Sequence, residues 1–377
     1  MDRGDVDRLA AWFRDCHGAA PETVWHAPGR VNFIGEHTDY NGGLVLPFAI
    51  SRGVLAAASA RPDRLLEVRS DQQPDEVVVV GLDALQPGRV PGWAGYVAGA
   101  AWALREAGYP VGGTSLCLSS DLPMGAGLAS SAALSCAAVS ALGRAAPVPP
   151  PAAEVAVLAR RAETDFVGMP CGIMDQSASM LCQAGHALLL DCGSGESAAV
   201  PLDPAAAGVR LLVADTGVRH VLADGQYTVR REQCEEAARL LGASALSMAG
   251  DLVGLSDPVL LRRARHVVSE NRRVTQTAAL LRAGRLAHCG PLLTASHASL
   301  RDDFEVSWPA ADAVVSATLA AGALGARMTG GGFGGSVLVL LPADLLGEVT
   351  AAIGAALGGP AAAVLPAAPA SGARQVA

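Results

Sequence analysis

The sequence contains no lysine, and every basic side chain other than histidine is arginine. This excludes a P-loop, whose lysine reaches the β- and γ-phosphates, and the strand lysine of protein kinases. Positive charge is also scarce overall. The net charge is −8 and the isoelectric point about 5.5, so the chain has no electrostatic footprint for nucleic acid or an anionic membrane surface. An anionic ligand therefore needs a local positive site. Aromatic residues make up only 4% against 51% hydrophobic residues, so the core must be built from Ala, Val and Leu. No run of about 18 apolar residues free of charges and turn signals suggests a membrane span. The opening MDRGDVDRLAAWFRDCHG lacks a basic-then-apolar targeting pattern. The eight cysteines are scattered without CxxC spacing, which fits buried thiols in a reducing compartment.

A length of 377 residues predicts two domains. The rigid stretch Pro147–Pro151 is too short to separate them. The turn Gly193–Gly195 and the loop Pro201–Gly208 mark the boundary better, giving lobes of residues 1–195 and 196–377. Helical spacing is expected over Val6–His17, Trp93–Glu106, Ser130–Leu142, Glu154–Thr164, Thr228–Leu241 and Arg262–Gly284. Strands are expected at Val24–Val31, Thr114–Ser119, His186–Leu190, Val209–Ala214 and Ser336–Leu341. Leu44–Ser59 suggests two strands joined by a turn at Arg52-Gly53, and the tail after Gly358 is expected to hold one last strand.

Four segments carry chemistry. In Leu122–Ala132 (LPMGAGLASSA) a strand ends, a glycine-rich loop turns and an Ala-rich helix begins. Such a junction aims backbone N–H groups and a helix dipole at one point, which suits a phosphate; the alternative is an ordinary turn with a serine cap. Met328–Ser336 (MTGGGFGGS) has five glycines between a helix and a strand. That density implies backbone pressed against a ligand or against another backbone at a domain crossing. Ala27–Gly43 gathers Arg30, Glu36, His37, Asp39 and two asparagines between apolar runs. Its carboxylates suit sugar hydroxyls, and the alternative is a solvated polar loop. In Met169–Ser177, Asp175 lies among apolar residues, either desolvated and paired or exposed at a helix start. Glu163 falls near the end of the preceding helix, where it is either functional or a surface charge.

These motifs resemble the GHMP family of sugar and small-metabolite kinases. Gly125–Ala132 is similar to its central phosphate motif and Met328–Gly335 to its C-terminal motif. Gly29–Asn41 (GRVNFIGEHTDYN) resembles the signature of the branch acting on galactose. Cys171–Gln176, Gln226–Glu235, Arg262–Glu270 and Ser296–Ser307 also resemble that branch. Two departures are conservative: Ala129 stands where the family has a third serine, and Phe33 where the signature has leucine.

The resemblance implies an α/β (α+β) fold of two lobes with the active site in the cleft between them. It implies transfer of the γ-phosphoryl of ATP, with Mg²⁺, to the C1 hydroxyl of galactose. By similarity, Arg30, Glu36, His37, Asp39, Gly172, Asp175 and Tyr227 face the sugar. Gly125, Ala126, Gly127, Leu128, Ala129, Ser130 and Ser131 form the ATP phosphate loop, and Ser131 and Glu163 hold Mg²⁺. Trp93 lies either against the adenine or in the core. Asp175 is then the general base, kept ionised by Arg30, which also stabilises charge on the phosphoryl oxygens. A cytoplasmic monomer is expected, with galactose and ATP as its partners. An N-acetylgalactosamine kinase and a non-catalytic galactose- and ATP-sensing regulator share this scaffold. Such regulators lose residues after the serine run, and the full-length Ser131-Ala132-Ala133 favours an enzyme.

Overall fold

A computed structural model describes residues 1–123, 125–219, 223–359 and 364–377. Met124 of the glycine loop lies outside these residues, as does the start of the tail, 360–363. In chain order, the first part runs α1 (Arg3–His17), β1 (Thr23–Asn32), β2 (Leu44–Val45), β3 (Pro47–Ala60), β4 (Leu65–Ser70) and β5 (Gln73–Gly81). It continues through α2 (Ala94–Glu106), β6 (Thr114–Ser120), α3 (Ser130–Gly143), α4 (Ala152–Arg161), α5 (Met174–Leu181), β7 (His186–Asp191) and β8 (Ser197–Pro201). There follow β9 (Val209–Asp215), α6 (Ala223–Leu240), α7 (Pro258–Arg282), α8 (Gly290–Asp302), α9 (Pro309–Ala320), β10 (Gly325–Thr329), β11 (Ser336–Pro342), α10 (Leu346–Ala356), β12 (Val364–Ala367) and β13 (Arg374–Gln375).

The described residues form three sheets. A six-stranded sheet has the order β13-β1-β3-β6-β4-β5, a four-stranded sheet β10-β11-β9-β12, and a three-stranded sheet β2-β7-β8. Among these pairs, β4–β6 alone is parallel. The first sheet and the buried helix α3 share a core with α2 and α4, and this core continues to one face of the second sheet. A second core fills the space between the four-stranded sheet and α6–α10. Helix α3 (SSAALSCAAVSALG) is buried over most of its length. Its small side chains let α2, α4 and α5 pack closely around it, so the core needs few aromatics. No helix among the described residues is long and apolar enough to cross a membrane.

Four local expectations change. The second glycine cluster joins two strands, β10 and β11, and not a helix and a strand. There is no turn at Arg52-Gly53: β3 runs through it as one strand. Gly53 is there because a Cβ would lie 2.3 Å from the Ala27 carbonyl oxygen, opposite an irregularity in β1 between Pro28 and Arg30. The helix expected to end at Thr164 continues past α4 as a π-helical turn over Ala162–Val167, which carries Glu163 inward. The tail supplies two strands, which join different sheets: β12 pairs with β9 and β13 with β1.

Candidate active site

The site is assembled where β1, the glycine loop, α5 and the second glycine cluster converge. Strand β1 delivers Arg30, whose backbone N–H donates to the Leu128 carbonyl at 3.1 Å. Its guanidinium holds Asp175 from two sides, with Nε to Oδ1 at 2.9 Å and Nη2 to Oδ2 at 2.8 Å, while Nη1 donates to the Gly127 carbonyl at 2.6 Å. One arginine thus joins the first residues of α5 to the phosphate loop. Burial works against its charge, but the Asp175 and Glu36 carboxylates outweigh that and raise its pKa.

After Asn32 the chain leaves β1 and forms the acidic turn. Glu36 is buried, and its Oε1 accepts from the Gly330 N–H at 2.7 Å and the Thr329 hydroxyl at 3.2 Å. Burial raises its pKa, and Arg327 and Arg30 oppose the rise. His37 adopts φ 61° and lies 2.9 Å from the Tyr40 hydroxyl through Nδ1; burial lowers its pKa to about 3, so it is neutral. Its ring also stands 5.8 Å from that of Tyr227, on α6. Burial raises the Asp39 pKa to about 7, with repulsion from Asp175 adding to the effect. Asp39 lies so close to Gly172 that a Cβ on that glycine would be 1.7 Å from Oδ2.

The glycine loop turns through positive φ at Gly125, Gly127 and Ala129, and Ala129 is the residue before α3. The N-terminus of α3 therefore points its free N–H groups into the cleft. The second glycine cluster braces this loop. The Ser336 hydroxyl donates to the Ala126 carbonyl at 2.7 Å, and Gly330 packs on the Gly127 backbone. A Cβ on Gly332 would meet the Val306 carbonyl at 2.5 Å, so this cluster is backbone pressed on backbone from both sides.

Two cavities meet at the start of α3. One, of about 320 Å³, is lined by Arg30, Glu36, His37, Asp39, Asp175 and Tyr227, together with Gly172 and the loop residues Gly125 and Gly127–Ser131. The other, of about 300 Å³, shares Ser130 and Ser131 and is walled by Trp93, Tyr96 and Gln73. Trp93 packs partly on the core and partly forms this wall, and its indole N–H donates to Gln73 at 3.1 Å and Glu76 at 3.0 Å. Glu163 stands behind Ser131, buried, and accepts from the Gln176 amide at 2.7 Å. Burial raises its pKa to about 7, against the hydrogen bonds from Gln176 and Ser131.

All the sugar-facing candidates thus converge on one cavity, and the loop lies between it and its neighbour. Sequence reasoning missed Arg219, which pairs with Asp215 at 2.6 and 2.8 Å and lies against Gly125 at the mouth of the loop. Its charge is engaged by Asp215, and its side-chain carbons fill the space that a Cβ on Gly125 would need. The signal was available, as an arginine a few residues beyond a predicted strand end, but nothing local tied it to a loop almost a hundred residues away.

A cavity of carboxylates beside a helix-terminus phosphate cradle, backed by a second glycine cluster, defines a GHMP kinase. Residues 95–183 match the GHMP kinases N-terminal domain and residues 277–358 the GHMP kinases C-terminal domain. A mevalonate kinase structure shares the fold at a TM-score of 0.66 and 16% identity, covering 93% of this chain and 98% of that one. Within this class the chain belongs to the galactokinase family. Residues 11–60 match the galactokinase galactose-binding signature. The chain is 46% identical over 374 residues to the galactokinase of Streptomyces coelicolor, covering 97% of each. It is 45% identical over 349 residues to that of Homo sapiens, covering 88% of this chain and 87% of the relative. The structure of Lactococcus lactis galactokinase complexed with galactose superposes with a TM-score of 0.92 at 31% identity, covering 98% of this chain and 99% of that one.

Proposed function

We propose that Asp175 accepts the C1 hydroxyl proton of galactose as that oxygen attacks the γ-phosphorus of ATP, with Arg30 fixing the Asp175 carboxyl in place and stabilising charge on the transferring phosphoryl group. The activity itself, transfer of phosphate from ATP to galactose, goes with membership of the galactokinase family. The observation that carries the assignment is the two-sided Arg30–Asp175 contact, made next to the Gly127 carbonyl of the phosphate loop. It puts the base and the phosphate cradle within one side chain of each other. Carboxylates and hydroxyls around the first cavity suit a polyol, which needs several acceptors at fixed positions. In this reading Glu36, Asp39, His37 and Tyr227 orient the sugar, and the second cavity takes the nucleoside beside Trp93.

Ser131 and Glu163 fit a divalent cation. They place a hydroxyl and a buried carboxylate side by side behind the loop, and hard oxygen donors of this kind suit Mg²⁺ completed by phosphate and water oxygens. Held by Ser131 and Glu163, the cation would supply positive charge to offset that of the ATP phosphates. No group of three or more acidic, histidine or cysteine side chains among the described residues forms a metal cage, consistent with a cation that arrives with its nucleotide. The eight free cysteines fit a reducing cytoplasm.

The test is product analysis. Incubation with galactose, ATP and Mg²⁺ should give a sugar phosphate whose ³¹P–¹H coupling places the phosphate on C1. Phosphate on C6, or equal use of glucose or N-acetylgalactosamine, would overturn the substrate assignment.

A further inference from the structure

Beneath the acidic turn lies a buried charged layer contributed entirely by residues more than two hundred positions later in the chain. Arg327, on β10, is fully buried, and its Nη1 donates to the Phe33 carbonyl at 3.1 Å and the Asn32 carbonyl at 3.3 Å. Its Nη2 stands 3.5 Å from Glu36 Oε1. Neither Nη2 nor Nε has a hydrogen-bond partner among the described residues. From α7, Glu270 accepts the Gly35 N–H at 3.0 Å, the Ser296 hydroxyl at 2.6 Å and Arg273 Nε at 2.7 Å. His266 meets the Glu36 carbonyl at 3.1 Å through Nε2 and the Ser299 hydroxyl through Nδ1. The carbonyl can only accept, so Nε2 carries the proton.

These contacts divide into two kinds. Glu270 and His266 hold the backbone of the turn. Arg327 does that too, but it is also the nearest cation to the Glu36 carboxyl, which the Gly330 N–H and the Thr329 hydroxyl orient from the same side. We infer that Arg327 is a positioning residue for sugar binding, which keeps the Glu36 carboxylate ionised and aimed into the cleft. A charge buried without a partner would be given up by protonation, and a protonated carboxyl would bring a donor where a hydroxyl needs an acceptor. The inference rests on the reading that the cleft takes galactose. The charged and titratable groups that face Glu36 are Arg327, Arg30, Asp39, His37 and His266, with Glu270 and Arg273 one layer further back. The two histidines are neutral, Asp39 opposes ionisation, and Arg30 is engaged by Asp175. Arg327 is therefore the cation whose removal would be felt at Glu36.

The experiment measures kcat, both KM values and the pH profile of kcat/KM for galactose in the full-length protein, for wild type, Arg327→Met, Arg327→Lys, Glu36→Gln and Arg327→Met/Glu36→Gln. Arg327→Met should raise the galactose KM about tenfold or more, in line with loss of a charge-assisted contact, and leave the ATP KM within about twofold. Its acid limb for galactose should move to higher pH, so that alkaline buffer partly restores affinity. The double variant should be no worse than Glu36→Gln, because the carboxylate is then already gone. Arg327→Lys, which keeps a positive charge but loses the guanidinium fork, should move the limb less and tests the point even if the methionine variant does not fold. An acid limb unmoved in the folded variants, or a loss spread equally over galactose and ATP, would overturn the positioning role. A wild-type enzyme that does not phosphorylate galactose would instead overturn the substrate reading beneath it.

Discussion

Gly172 leaves room for the Asp39 carboxylate that no side chain at that position would: a Cβ on the glycine would fall 1.7 Å from the carboxylate oxygen and 2.4 Å from its carbon. The acidic turn and the segment before α5 are thereby locked together at their closest point. Gly172→Ala must push Asp39 out of position. The expected result is a rise in the galactose KM of roughly tenfold or more, equivalent to about 1.5–3 kcal/mol for a hydrogen bond to a charged group. ATP binding should change little. A variant with the wild-type galactose KM would show that Asp39 does not contact the sugar.

Asp175→Asn keeps the size and hydrogen-bonding reach of the side chain but cannot accept a proton at neutral pH. We expect kcat to fall by about 10²–10⁴-fold at saturating sugar, with the melting temperature retained. Arg30→Ala should give a comparable loss, and the double variant should be far from additive because the two groups act as one unit. If the folded asparagine variant kept more than about a tenth of the activity, Asp175 would be a binding residue only.

Glu163→Gln and Ser131→Ala test the proposed cation site. Titrating Mg²⁺ at saturating galactose should show a half-saturation point raised about tenfold or more for Glu163→Gln and less for Ser131→Ala, since a carboxylate is the stronger hard ligand. Galactose affinity measured without nucleotide should be unchanged. An unaltered Mg²⁺ requirement in both would place the metal elsewhere.

Two buried carboxyls, Asp39 and Glu163, have pKa values raised to about 7. The folded state then binds more protons than the unfolded chain between about pH 4 and 7, so their contribution to stability is present at low pH and lost as pH rises through 7. The ligand-free protein should therefore be stabilised by Asp39→Asn at pH 8, by about 2 °C or more in Tm, and not at pH 5, where the native carboxyl is already neutral. Thermal melts at the two pH values decide it. An equal shift at both would mean that the charge of Asp39 carries no burial cost.

The parts of the site that were legible in the sequence are those whose chemistry is written locally. A glycine loop between a strand and a helix announces a phosphate cradle, and five glycines in MTGGGFGGS announce a close backbone approach. The first loop lies between β6 and α3, where the pattern places it, whereas the second cluster joins the strands β10 and β11. What was not legible is pairing across long chain separations. Arg327 is 291 positions from Glu36, and no periodicity links them. Glu163 sat at a helix end that could have faced water, because a π-helical turn leaves no mark in a hydrophobic pattern. Gly53 read as a turn because a glycine required by a neighbouring strand looks the same as one required by a bend.

Residues 369–377 close two elements at once. The Gly372 and Ala373 N–H groups donate to the Cys182 and Ser179 carbonyls at 2.7 Å, at the end of α5, the helix that carries Asp175 in its first turn. Val376 and β13 lie along β1, the strand that carries Arg30. The two residues of the proposed Arg30–Asp175 pair thus rest on segments that 369–377 complete. Without residues 369–377, β1 would present an open edge and α5 an unanchored end. A chain cut before them would carry an unpaired strand, ready to pair with the same strand of another copy.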